Sequence, residues 1–189
     1  MPTLDDIDWP VTTERLLLRR ATEPDVKPTW EYRRAEQVSR WISTWSRSLE
    51  EYAETFLDPT RLARTVIVEL DGQVIGDAAI VIQSPWSQTE VADRAKHVEA
   101  ELGWTFDPAY GGQGYATETV RALIELSFTR LGLRRVVANC FADNAPSWRL
   151  MERVGMRREV HTVKESLHRD GRWLDGLGYA LLAEEWPPG

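Results

Sequence analysis

The spacing of hydrophobic and polar residues changes several times along the chain, and each change marks an element. From Val98 the alternation is strict. Val98, Ala100, Leu102, Trp104 and Phe106 fall on one face and Glu99, Glu101, Gly103 and Thr105 on the other, the period of a half-buried strand. Apolar residues at 120, 123, 124, 128 and 131 then recur at helical spacing, predicting a helix over 117–131 that Gly132 ends. A further strand is predicted at 135–141. After it, Asn144 reads as a helix N-cap, with Pro146 in the first turn and Gly155 at the end. Toward the N-terminus, 13–20 reads as a short first strand, 21–25 as a turn, and 25–58 as helical segments rich in aromatic rings. Two pairs of β-branched runs, 64–70 with 73–82 and 159–168 with 173–182, meet at Asp71-Gly72 and Asp170-Gly171. These dipeptides supply the positive φ angles of tight hairpins. Residues 83–97 read as a long polar loop or a short exposed helix, and 186–189 as a terminal tail.

At 189 residues the chain is expected to form one domain over 1–189, and 42% hydrophobic with 28% charged residues is ordinary globular composition. The net charge of −7 argues against non-specific nucleic-acid binding, which depends on neutralising phosphates. Charge is uneven, with −9 over residues 1–129, +5 over 130–172 and −3 over 173–189, so an anionic partner is expected to be a small ligand. No apolar run suits a membrane span and the first six residues lack the order of a signal peptide, so a cytoplasmic protein with no membrane partner is expected. Cys140 is the single cysteine, and His97, His161 and His168 fall at no metal-ligand spacing; neither a disulfide nor a metal is expected. Inside an apolar strand, Cys140 reads as a small buried hydrophobe.

Chemistry concentrates after the alternating strand. Gly111-Gly112-Gln113-Gly114-Tyr115-Ala116 places three glycines within four residues just before a helix. Such a turn either connects two elements or gathers backbone N–H groups at a helix N-terminus into a pyrophosphate cradle. The ending of a Walker A loop is absent, and so is a dinucleotide fingerprint.

Residues 101–156, ELGWTFDPAYGGQGYATETVRALIELSFTRLGLRRVVANCFADNAPSWRLMERVGM, resemble the GNAT superfamily of acetyl-CoA-dependent N-acetyltransferases, in its ribosomal-protein (RimJ/RimL-like) branch. The resemblance runs from Thr13-Glu14-Arg15-Leu16 to Leu177-Gly178-Tyr179-Ala180. Gly114 and Ala116 match the family's Gln/Arg-x-x-Gly-x-Gly/Ala signature, and Gly111 stands in place of its Gln or Arg. The resemblance implies an α/β fold: a mixed twisted sheet of about seven strands with helices on both faces, split near Trp104. It implies that Trp104, Thr105 and Phe106 bond pantetheine through their backbone. Gly111, Gly112, Gln113, Gly114, Tyr115, Ala116 and Thr117 would hold the pyrophosphate of acetyl-CoA. Asn144 would lie beside the pantetheine arm, and Ser147 would serve the thioester sulfur.

Aminolysis also needs a proton acceptor. Glu101 is favoured, with Glu99 or a water chain as alternatives; counting back from the loop lands on Ala100 between the two. Asn139 occupies a position where related N-terminal acetyltransferases have a glutamate. The implied reaction is direct acetyl transfer in a ternary complex to a primary amine, a protein N-terminus first and a polyamine or aminoglycoside second. A silent CoA-binding sensor and a pure interaction domain are the alternatives from other classes. A monomer or homodimer is expected.

Overall fold

The computed structural model describes residues 1–187; Pro188 and Gly189 of the terminal tail lie outside the described residues. Eight strands pair in the order β1-β2-β3-β4-β5-β6-β8-β7. They are β1 (Val11–Thr12), β2 (Leu17–Arg20), β3 (Thr65–Leu70), β4 (Gln73–Gln83), β5 (Glu99–Phe106), β6 (Arg135–Phe141), β7 (Arg157–Leu167) and β8 (Trp173–Leu182). The sheet is mixed, because β5 and β6 run parallel while β1–β2, β2–β3, β3–β4, β6–β8 and β7–β8 are antiparallel. It has one strand more than the seven expected. The addition is the two-residue β1, too short for any alternation to reveal.

The chain divides into two compact units. One comprises Asp8–Ala79 with Gly103–Val120. Its antiparallel ladder sets Leu18 opposite Val68 and Thr65 opposite Ala79. The β3–β4 turn is the expected tight hairpin, with φ of 50° at Asp71 and 77° at Gly72. The expected helical stretch 25–58 resolves into α1 (Val26–Arg33), α2 (Glu36–Ser39) and α3 (Leu49–Phe56), with α4 (Pro59–Leu62) following. Val26, Tyr52, Phe56 and Ile67 form its buried cluster, with Trp30 packed against them. Tyr52 lies 5.4 Å from Trp30 and 5.6 Å from Phe56, centroid to centroid, so these rings fill a core. Trp45 is exposed. The first strand is shorter than 13–20, because Thr13 folds back into a turn in which its N–H donates to Leu16 O at 2.9 Å.

The other unit comprises Met1–Ile7, Ile80–Leu102 and Arg121–Gly189. It holds α5 (Ala92–Ala95), most of α6 (Tyr115–Thr129) and α7 (Ala145–Arg153). Residues 83–97 thus contain a short helix, one of the two forms expected. Helix α6 starts and ends two residues before its expected bounds, and its apolar stripe is buried at Val120, Leu123 and Ile124. Strand β6 has the expected bounds and pairs with β8 along its whole length, from Arg135 opposite Leu182 to Phe141 opposite Gly176. Strand β7 is largely exposed, and Gly171 at φ 86° closes the β7–β8 hairpin.

Candidate active site

Strand β5 departs from the half-buried pattern. Glu99 and Thr105, on the face expected to be polar and open, are buried; the strand is covered on both faces at its ends and opens around Glu101 and Gly103. Trp104 and Phe106 are half-buried. The neighbouring strand accommodates this stretch through Gly76, where a Cβ would come within 2.6 Å of the Phe106 ring and 2.8 Å of the Thr105 carbonyl oxygen. The β5–β6 ladder pairs Glu99 with Arg135 through Glu101 with Val137.

The loop after β5 is built from its backbone. Asp107 N donates to Ile75 O at 2.9 Å, and the Asp107 carboxylate accepts from Ala109 N at 2.9 Å. The Tyr110 hydroxyl donates to Gln73 at 2.8 Å. Residues 111–114 are exposed, and Gly112 (φ 76°) and Gly114 (φ 84°) are left-handed, a region that excludes most side chains. Gly111 is not: φ −65° and ψ 152° suit any residue, and a Cβ there would meet Pro108 O at 3.1 Å. The dihedral angles at 111 therefore admit a side chain, while the Pro108 carbonyl leaves its Cβ little room. Gly114 O accepts from Glu118 N at 3.0 Å, opening α6, whose 15 residues give a full dipole and first-turn amides without intrahelical acceptors.

Arg15 braces this loop, a role that sequence reading missed. Its Nη1 donates to Gln113 O at 2.9 Å, its Nε and Nη2 reach Glu118 at 2.7 Å, and its guanidinium lies 4.6 Å from the Tyr115 ring centroid. Thr13 Oγ1 (2.6 Å) and Arg15 N (2.8 Å) also donate to Glu118. Burial pushes the Glu118 carboxyl up, but these donors outweigh it and hold it below the ordinary glutamate value. The available signal was the Thr-Glu-Arg-Leu string itself, which gave no indication of a partner 103 positions away.

In the other unit, Glu99 is committed elsewhere. It is ion-paired with Arg135 and accepts from Gln83 Nε2 at 2.9 Å. Glu101 is half-buried and accepts from Asn139 Nδ2 at 3.1 Å. Thus the structure brings Asn139, expected to lack basic function, onto the favoured glutamate. Asn144 occupies the N-cap of α7, but its side chain makes no capping bond, which corrects the expected cap. Ser147, half-buried in the first turn, hydrogen-bonds to Cys140. Cys140 is half-buried, not fully buried, and burial pushes its thiol up to about 11 although Ser147 lowers it. His161 faces Asp175 at 2.8 Å, and the buried His168 faces Asp170 at 2.9 Å.

A family model described as "Acetyltransferase (GNAT) domain" matches residues 15–157. The chain belongs to the GNAT acetyltransferase family. This acetyltransferase is similar to the uncharacterized N-acetyltransferase YnaD of Bacillus subtilis (strain 168), 32% identical over 180 residues, covering 93% of this chain and 98% of that protein. It is also similar to the crystal structure of a GNAT-family acetyltransferase from Bacillus anthracis, at TM-score 0.77 and 30% identity, covering 93% and 99% of the two chains. Mycobacterium smegmatis RimJ, solved in complex with CoA-disulfide, shares the fold at TM-score 0.75 and 23% identity, covering 96% and 91%. No helix among the described residues is long and apolar enough to cross a membrane.

Proposed function

We propose that this acetyltransferase is a single catalytic domain that moves the acetyl group of acetyl-CoA directly to a primary amine, a protein N-terminal α-amine before a small-molecule amine. The observation that carries the reading is the braced glycine loop: exposed backbone donors, two left-handed glycines and a long helix start at one place, held by the Arg15–Glu118 pair. That donor set fits a pyrophosphate. Gly112, Gln113, Gly114, Tyr115, Ala116 and Thr117 hold it through their backbone, and Trp104, Thr105 and Phe106 offer strand amides and carbonyls to pantetheine. Bound acetyl-CoA supplies an activated thioester.

The remaining roles fall to side chains. Ser147 stabilises the sulfur as it leaves with the bonding electron pair, and Asn144, free of capping, orients the pantetheine arm. Glu101, oriented by Asn139, takes the proton from the incoming ammonium. Cys140 remains a thiol at neutral pH, which supports direct attack by the amine over a covalent acetyl-cysteine route.

The test is release of free CoA thiol from acetyl-CoA across panels of peptides and small amines, alongside calorimetric acetyl-CoA binding. Release with peptides bearing a free α-amine, and none with their N-terminally blocked forms, is expected. Binding without release on any amine would replace this reading with the silent sensor. Failure of acetyl-CoA to bind would remove it altogether.

A further inference from the structure

The unit formed by Asp8–Ala79 and Gly103–Val120 holds a second group of charges that acetyl transfer does not use. Asp77, on β4, is buried and fully engaged. It accepts from the Tyr32 hydroxyl at 2.6 Å and from Arg33 Nε at 2.8 Å, and Arg33 Nη2 closes a second contact. One carboxylate is thus matched by one guanidinium, in the paired geometry expected of a buried ion pair.

Arg61, on α4, breaks this balance. Its guanidinium carbon lies 5.4 Å from the Tyr52 centroid and 5.5 Å from the Phe56 centroid, and the residue is only partly exposed. Among the described residues its guanidinium has neither an ion-pair nor a hydrogen-bond partner. The nearest carboxylate in sequence, Asp58, is taken by the backbone amides of Thr60 (3.0 Å) and Arg61 (3.1 Å). The Tyr52 hydroxyl donates to Thr29 Oγ1 at 2.9 Å and meets Arg61 through its ring. Burial and the nearby charges of Arg33 and Arg64 push Arg61 below its ordinary value, with Asp77 only partly opposing them. Aromatic contact takes the faces of a guanidinium and leaves its N–H edge. A planar N–H edge matches a carboxylate in two parallel bonds. Arg33 is matched by Asp77 and Arg64 is exposed to solvent, so Arg61 is left with one charge to neutralise, which suits a monoanion.

We infer that the N–H edge of Arg61 is a binding site for a monocarboxylate. The assignment is independent of acetyl transfer and is tested without it. The side-chain Nε–Hε resonances of the full chain would be titrated by NMR with sodium acetate, inorganic phosphate and sodium chloride at constant ionic strength. Arg61 would be assigned by through-bond correlation. Acetate is expected to shift the Arg61 resonance saturably, with phosphate weaker and chloride without a saturable effect. Arg61→Lys keeps the charge but loses the fork, and is expected to weaken acetate binding on the order of 10- to 100-fold. Arg64→Gln, at an exposed neighbour, is expected to leave it within about twofold. Absence of a saturable acetate shift in the native chain, phosphate binding more tightly than acetate, or unchanged acetate affinity in a folded Arg61→Lys variant would each overturn the site. Should Arg61→Lys fail to fold, the titration of the native chain decides alone.

Discussion

The loop at 111–116 and the corner where β6 meets α7 do their proposed work with different parts of the chain. The loop offers backbone: Gly112 and Gly114 are exposed and left-handed, and the side chains that matter, Arg15 and Glu118, lie beside it as bracing. The corner offers side chains, Asn139 on Glu101 and Ser147 on Cys140, each pair already hydrogen-bonded, with Asn139 exposed and the other three half-buried. A backbone site fails when its conformation is denied, so substitutions there should act on affinity and act nearly completely. A side-chain site fails one group at a time, so substitutions there should act on rate and in graded fashion.

Gly114→Val is the largest break. A β-branched residue at φ 84°, with its Cβ 3.4 Å from Arg15 Nη2, should raise the acetyl-CoA Kd by more than about 100-fold, with strain on the order of 1–3 kcal/mol and native far-UV circular dichroism. Calorimetry on a folded variant checks it; unchanged affinity would reduce the loop to a connector. Next comes Ser147→Ala, expected to lower kcat by about 10- to 1,000-fold with little change in the KM for acetyl-CoA, and to leave the urea midpoint within about 1 kcal/mol. Full turnover would remove Ser147 from the chemistry.

Arg15→Ala should be intermediate. Losing the brace and its charge is expected to weaken acetyl-CoA binding about tenfold, read as a rise in KM with kcat held. It should also weaken the acid limb of stability. Glu118 is depressed in the folded chain, so its contribution is present above the unfolded value and lost as pH falls through the folded one. A native-like acid unfolding profile in Glu118→Gln would contradict that account. The last prediction leaves turnover untouched and concerns Cys140. With its thiol raised to about 11, reaction with iodoacetamide at pH 8 should run roughly 100-fold slower than that of an ordinary cysteine and speed up with pH through that value. Rapid alkylation at pH 8 would mean a thiolate, and would reopen a covalent route.

Local rules served best where one element decides the conformation. Asp71-Gly72 makes its hairpin because both residues take positive φ, and β6 was legible as an apolar run with clear ends. The glycine loop was legible for the same reason, since left-handed backbone leaves its mark in residue type. Partners distant in sequence were not. Nothing beside Glu99 announces Arg135 36 positions on, so a glutamate expected on an open face is buried and paired. Gly76 carries no local sign that Phe106 crosses it. Asn144 has the right residue type at the right place for a cap, yet makes no capping bond, because position alone does not set where an amide turns.

The brace on the glycine loop also orders events during synthesis. Thr13 and Arg15 are added to the chain about a hundred residues before Glu118. At roughly 5–20 residues per second that is a wait of several seconds. Contacts of such long span close late, since the loop entropy must be met before the contact contributes. The nascent chain can form its β3–β4 hairpin while the glycine loop is still unmade, and the loop gains its brace only when the start of α6 folds back onto a segment made about a hundred residues earlier. A deletion that removes Arg15 would therefore take away a support of the loop from a segment about a hundred positions distant.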